Sequence, residues 1–168
     1  MGGNFTYQAN TTPISSVGIY DPKNIAFQGL TGAQVNGTVR ALLVDNNTLY
    51  VGGEFTVPGT NANGLAVYDL SSGSWTSTNL QALQGDNSLP AVVRSITKSR
   101  SKSNTIIVAG SFTSAGALPC AAICSFDSTT LQWNALGDGI TGEAASVTYA
   151  GVCAPWIVLI ACLLCWTV

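Results

Sequence analysis

The chain is 168 residues long, room for one ordinary domain, and its 46% hydrophobic content is enough to build a core. Only 8% of residues are charged and the net charge is −2, so Ser, Thr, Asn and Gly must carry the surface and no basic field exists to hold nucleic acid. Histidine is absent, which removes the commonest general base and metal ligand; no metal, cofactor or small-molecule substrate is expected.

In chain order, one pattern appears three times. It opens as Gly2-Gly3-Asn4-Phe5-Thr6, continues at Gly18-Ile19-Tyr20-Asp21 and reaches an aromatic at Phe27. The next copy runs Gly52-Gly53-Glu54-Phe55-Thr56, Ala66-Val67-Tyr68-Asp69 and Trp75; the third runs Ala109-Gly110-Ser111-Phe112-Thr113, Cys124-Ser125-Phe126-Asp127 and Trp133. Each aromatic falls six residues after its Asp and is followed by a glycine (Gly37, Gly85, Gly142) and a β-branched run. The anchors Gly3, Gly53 and Gly110 are 50 and 57 residues apart, a period of propellers and solenoids.

Each unit reads as strands. Residues 38–44 and 48–51 flank the turn residues Asp45-Asn46-Asn47 as a hairpin, and 92–97 and 105–109 do the same around a Ser/Lys/Arg loop. Residues 65–68 and 121–126 supply a third strand, and the segments through Trp75 and Trp133 a fourth. Four short strands in about 50 residues make a propeller blade. The glycine pair is expected at the end of a buried strand, where a missing Cβ admits neighbouring backbone, and the Trp against the adjacent blade. The competing arrangement, a β-sandwich, must treat three ordered matches as accident.

The predicted fold is therefore all-β: a partial β-propeller of about three four-stranded blades, the terminal ones incomplete. Its units cover about 1–51, 52–108 and 109–149, ahead of an apolar tail at 150–168. A closed propeller needs roughly four to eight blades, so the expectation is a fragment or truncated product of a longer protein. Residues 152–168 carry no charge over 17 positions, the lower limit for a bilayer span. A tail anchor, a removable lipid-anchor signal and sequence appended where a repeat is lost all remain open; as a real segment the tail is expected to be helical and outside any blade.

Cys120 and Cys124 share one strand face but lie roughly 13 Å apart on a flat strand, so a disulfide needs a bend between them; the alternative is two buried thiols. Cys153, Cys162 and Cys165 belong to the tail. Sequons at Asn4, Asn10, Asn36 and Asn46 agree with a secretory route. Asn46 sits at a hairpin tip, whereas Asn4 belongs to the repeat motif. Met1-Gly2-Gly3 also fits an N-myristoylation pattern, but its internal recurrence makes it repeat chemistry. Asp21, Asp69 and Asp127 recur at equivalent places, which points to turn-stabilising side chains rather than a convergent catalytic pair. Arg94, Lys98, Arg100 and Lys102 form the basic cluster, read as a solvated hairpin loop or, less simply, a contact for an acidic partner or lipid headgroup.

The strings 49–56 (Leu-Tyr-Val-Gly-Gly-Glu-Phe-Thr), 65–70 (Leu-Ala-Val-Tyr-Asp-Leu) and 108–124, with Gln132-Trp133-Asn134-Ala135-Leu136-Gly137, resemble the fungal cortical markers of cell polarity, a bud-site-selection family. The likeness covers about residues 1–149, and 108–137 is its specific part. It implies a Kelch-like extracellular propeller with a membrane span: a surface glycoprotein in the secretory pathway that marks sites of polarised growth through protein contacts, with Cys120 and Cys124 bonded. The tail departs from the family. Two alternatives stand beside it: a small membrane-anchored β-repeat adhesion or scaffold protein attached through 152–168, and a relative of the Kelch-type copper oxidases without its metal site. The missing histidines argue against the second.

Overall fold

The computed structural model describes residues 1–9, 12–76, 80–87, 89–137, 149–154 and 157–161. Among these the backbone is all β, sixteen strands in five sheets without a helix. The first sheet joins β1 (Gly2–Ala9), β2 (Thr12–Asp21) and β3 (Ala26–Gly29) in that order. The second is a four-stranded meander of β4 (Asn36–Asp45), β5 (Thr48–Thr56), β6 (Asn63–Asp69) and β7 (Ser74–Trp75).

Between the second and third meanders lies β8 (Leu83–Gln84). The third has β9 (Val92–Lys98), β10 (Thr105–Ser111), β13 (Ile123–Asp127) and β14 (Trp133–Ala135). It is interrupted by β11 (Ser114–Ala115) and β12 (Leu118–Pro119), which pair with β8 as a small separate sheet. Thr113 N–H donates to Gln84 O (2.8 Å) and Gly116 N–H to Ala82 O (2.8 Å), so this clasp ties the inter-sheet connection to the insertion. Two-residue strands leave no periodicity to read, and the sequence gives no warning of them.

The repeat seen in the sequence recurs in the register. In the first sheet the pairing jumps from Gly2↔Val17 to Thr6↔Ser15; in the second it jumps from Gly52↔Leu65 to Thr56↔Asn63, at equivalent residues. The second and third sheets start at β4 and β9, the hairpin strands that precede their glycine anchors, whereas the first starts at β1, which carries its anchor.

The meanders stack face to face through apolar side chains that alternate along each strand. On β5, Leu49, Val51 and Phe55 pack toward the first sheet with Val17, Leu30 and Val35, while Tyr50 packs toward the third with Val93, Ile106 and Phe126. The central strands β5 and β6 are thus buried on both faces over most of their length, whereas β4 alternates between at least partly buried and exposed positions. Val51, Leu65, Val93, Ile106, Val108 and Phe126 are fully enclosed, each contributing about 1.5–3 kcal/mol of burial. The sheets converge at their first strands, since β9 packs on both β4 and β5, and the series is open: among the described residues the first sheet and the last hairpin do not pack extensively on each other.

Gly110 lies next to the last residue of β10 and Gly3 next to the first of β1, as expected of a strand end, whereas Gly53 lies further inside β5. Val39 pairs with Gly53 and Ala41 with Gly52, leaving Arg40 as the extra residue of a β-bulge; Val93↔Gly110 and Ser95↔Ala109 leave Arg94 in the same position. A Cβ on Gly53 would collide with the Thr38 carbonyl oxygen, and one on Gly110 with the equivalent Val92 carbonyl. The bulge drives a carbonyl into the space a side chain would need, and this close approach is what demands glycine.

The helix expected over 150–168 is not what the described part of the tail forms. β15 (Tyr149–Ala154) and β16 (Ile157–Ala161) pair antiparallel from Tyr149↔Ala161 to Ala154↔Ile157. Val152, Ile157, Val158 and Ile160 are β-branched, and Pro155 would break a helix crossing that point. β15 runs beside β9 and β10 as β9 runs beside β4 and β5, so the hairpin occupies the place of the first two strands of a next blade. It does so where the third sheet carries a further buried cluster of Ile107, Ala109, Ala122 and Ile123. No helix among the described residues is long and apolar enough to cross a membrane.

Candidate functional site

Strand direction sorts the sequence-singled residues onto two rims. At one rim lie the Asp45-Asn46-Asn47 tip, the 99–104 loop and three turns that each begin with an aspartate. Asp21 accepts from Lys23 N–H (2.9 Å) and from Asn24 Nδ2 (2.7 Å). Asp69 accepts from Ser71 N–H (2.7 Å), and Asp127 from Thr129 N–H (2.8 Å) and Thr130 N–H (2.9 Å). These donors hold all three carboxyls below their ordinary value: chiefly the Asn24 side chain for Asp21, the Ser71 amide for Asp69 and the Thr130 amide for Asp127. The repeated aspartates are thus spent on turns and do not converge on one another.

The basic cluster divides. Lys98 Nζ grips both Asp45 oxygens at 2.6 and 2.7 Å, tying the third sheet to the hairpin tip of the second. Arg100 and Lys102 stay exposed on a loop closed by Lys102 N–H donating to Ser99 Oγ (3.2 Å). Arg94 lies apart, on the bulge of β9. Beneath the Asp45 tip, Tyr50 has its phenol pushed up, first by burial and then by the Asp45 charge.

At the opposite rim Cys120 and Cys124 are brought within 5.6 Å, Cα to Cα, with their sulfurs in bonding contact. Ala122, between them, adopts φ +63°. That left-handed residue is the bend a flat strand lacks, and it moves the start of β13 to Ile123. Asn4, Asn36 and Asn46 are exposed, Asn46 at φ +52° on its tip. Asn10 lies outside the described residues, as do Cys162 and Cys165.

The aromatic positions show what each sheet meets. Trp75 Nε1 donates to Ala33 O (3.0 Å) and Trp133 Nε1 to Gln81 O (3.1 Å), each in the connection from the preceding sheet. Tyr68 and Phe126 pack edge-on to these rings at 5.0 and 5.1 Å, and Thr31 N–H donates to the Tyr68 hydroxyl (3.0 Å). Phe27 instead packs on Tyr7 (5.1 Å) and Phe5 (5.8 Å), beside an open cavity of about 570 Å³ lined also by Tyr20 and Ile25. Sequence reading missed this open face, because the residues forming it look the same as their buried counterparts. It also missed the pairing of Arg40 with Glu54 (3.3 Å), although the recurring Val39-Arg40 and Val93-Arg94 dipeptides were the available signal.

Stacked meanders in repeated register, bulged at their inner strands, are blades of a propeller. The sequence profile of the Rax2 C-terminal beta propeller domain matches residues 1–99 and again 65–153, the overlapping double match an internal repeat produces. Polarized growth protein L1 of Phoma sp. is 38% identical over 117 residues, 68% of this chain and 8% of that protein. Polarized growth protein RAX2 of Candida albicans is 31% identical over 155 residues, 86% of this chain and 11% of that protein. This chain therefore spans about a tenth of the length of these curated relatives. Repeat, register and profile agree: the chain belongs to the Rax2 C-terminal beta propeller domain family.

Proposed function

We propose that this chain supplies propeller blades to a non-enzymatic cell-surface protein that marks cortical sites for polarised growth or bud-site selection through protein contacts. The observation that carries this reading is the fate of the repeated polar groups. All three equivalent aspartates close turns, and both Trp N–H groups bond the connection from the preceding sheet. These groups go into the scaffold, and what varies is the loops at the two rims, where propellers take partners. The names of the two relatives supply polarised growth.

The same reading makes Cys120 and Cys124 a disulfide formed in the secretory pathway and the exposed Asn36 and Asn46 sites of N-glycosylation. The alternative, a small protein anchored in a membrane through 152–168, would have to pull β15 away from β9 and β10 of the third sheet. The test is to delete residues 1–154 from the full-length protein in its fungal cell and score the position of new growth sites. Misplaced or randomised growth sites are expected; wild-type placement, with the shortened protein present at normal level, would overturn the proposal.

A further inference from the structure

The two bulge arginines occupy one structural position and meet different surroundings. β4 and β9 are the first strands of their sheets, each with one edge unpaired by its own sheet, and they lie against each other where the sheets converge. A bulge re-aims its extra side chain out of the alternation of the two faces. On β4 the re-aimed Arg40 is answered from within: Glu54, next to the glycine anchor on β5, accepts from its Nη2 at 3.3 Å. On β10 the residue next to the anchor is Ser111, one carbon and a hydroxyl in place of a carboxylate arm. Among the described residues Arg94 has no acceptor, and its Nε is shut off from solvent.

A buried donor left without an acceptor is destabilising, more so when it is charged, so a native protein keeps one where something else fills the need. Arg94 is also not an accident of a basic surface, because the chain is net acidic. Lys98, the neighbouring cation on the same strand, is already held by Asp45. The guanidinium fork fits a planar carboxylate, and Arg40 with Glu54 shows that a carboxylate is what this position accepts.

We propose that Arg94, at the inner edge of the third sheet, is a binding site for a carboxylate, supplied by an acidic peptide segment of a protein partner. The carboxylate would take the place beside Ser111 that Glu54 takes beside Arg40. The inference deepens the reading of the chain as a protein-binding module by naming the partner's chemistry. It is tested by binding in solution, so its failure is distinguishable from failure of the growth-site experiment.

The full chain is titrated with a tetraglutamate peptide and, separately, with succinate as a free dicarboxylate, following affinity by calorimetry. Arg94→Gln is expected to weaken peptide binding by about tenfold or more, as loss of a charge-assisted hydrogen bond does. Ser111→Glu installs the internal partner that Arg40 already has; it is expected to raise the thermal midpoint and to weaken the peptide by about the same factor. Ser111→Gln, of like size and no charge, keeps peptide affinity near wild type. The proposal is overturned if Arg94→Gln, correctly folded, binds the peptide as wild type does. Unchanged peptide affinity in Ser111→Glu overturns it without relying on an Arg94 variant. Arg94-dependent binding of succinate with none of the peptide assigns the site to a small free acid and overturns the peptide source.

Discussion

The first repeat and the two after it carry the same motif at the same spacing, but the structure uses them differently. Phe55, Tyr68 and Trp75 in the second, and Phe112, Phe126 and Trp133 in the third, turn toward the sheet before them and pack there. Their counterparts Phe5, Tyr20 and Phe27 turn the same way onto an open cavity, and Tyr20 is 49% exposed where Phe126 is 0%. The glycines part in the same manner. Gly53 and Gly110 face a carbonyl oxygen of a bulged inner strand, whereas a Cβ on Gly3 would touch only the Phe5 ring, at 3.5 Å. A repeat motif therefore specifies a local shape, and its energetic weight depends on whether a neighbouring strand stands against it.

Three substitution sets sharpen or break this comparison. Trp133→Ala empties a filled site and orphans Gln81 O, and is expected to cost about 4 kcal/mol in urea unfolding; Phe27→Ala, at a half-covered site, is expected to cost about 1.5 kcal/mol. Equal losses would mean that the first sheet's open face is covered in solution. Gly53→Ala and Gly110→Ala force a methyl against a backbone oxygen and are expected to cost about 3 kcal/mol each, while Gly3→Ala should stay within about 0.5 kcal/mol. A severe Gly3→Ala would show that a bulged strand also closes on β1.

The smallest effects belong to the turn aspartates, and these should not distinguish the repeats at all, because each turn is satisfied within itself. With carboxyls held below the ordinary 3.8, their contribution is present above that value and lost as pH falls through the lower folded value. The deficits of Asp21→Ala, Asp69→Ala and Asp127→Ala against wild type, measured by thermal unfolding, are therefore expected to be alike at neutral pH and to shrink together below about pH 3.8. An Asp21 deficit unlike the other two would break the assumption that this part of the repeat is local.

The strands, the hairpin at Asn46 and the turns at Asp69 and Asp127 were legible because period-2 patterning and turn chemistry involve residues within a few positions of one another. The resemblance carried by residues 108–137 was enough to reach the family. The β8–β11–β12 clasp was not legible, since its pairs join residues about 30 positions apart through two-residue strands. Nor was the tail, where an uncharged apolar run suits a helix and a buried strand equally until a surface is offered to it; the third sheet offers one, and the described residues form a hairpin there.

What the sequence determined by itself is the blade: its strands, its period and the turns that close it, all set by short-range patterns. The tertiary structure decided the rest. It placed a carbonyl opposite Gly53 and Gly110, which turns a permissive residue into a required one. It bent the chain at Ala122, so that two cysteines roughly 13 Å apart on a flat strand come within 5.6 Å. It also gave Arg40 a carboxylate and left Arg94 beside a serine. These outcomes turn on which atoms from distant parts of the chain share a few ångströms of space, and no local pattern encodes that.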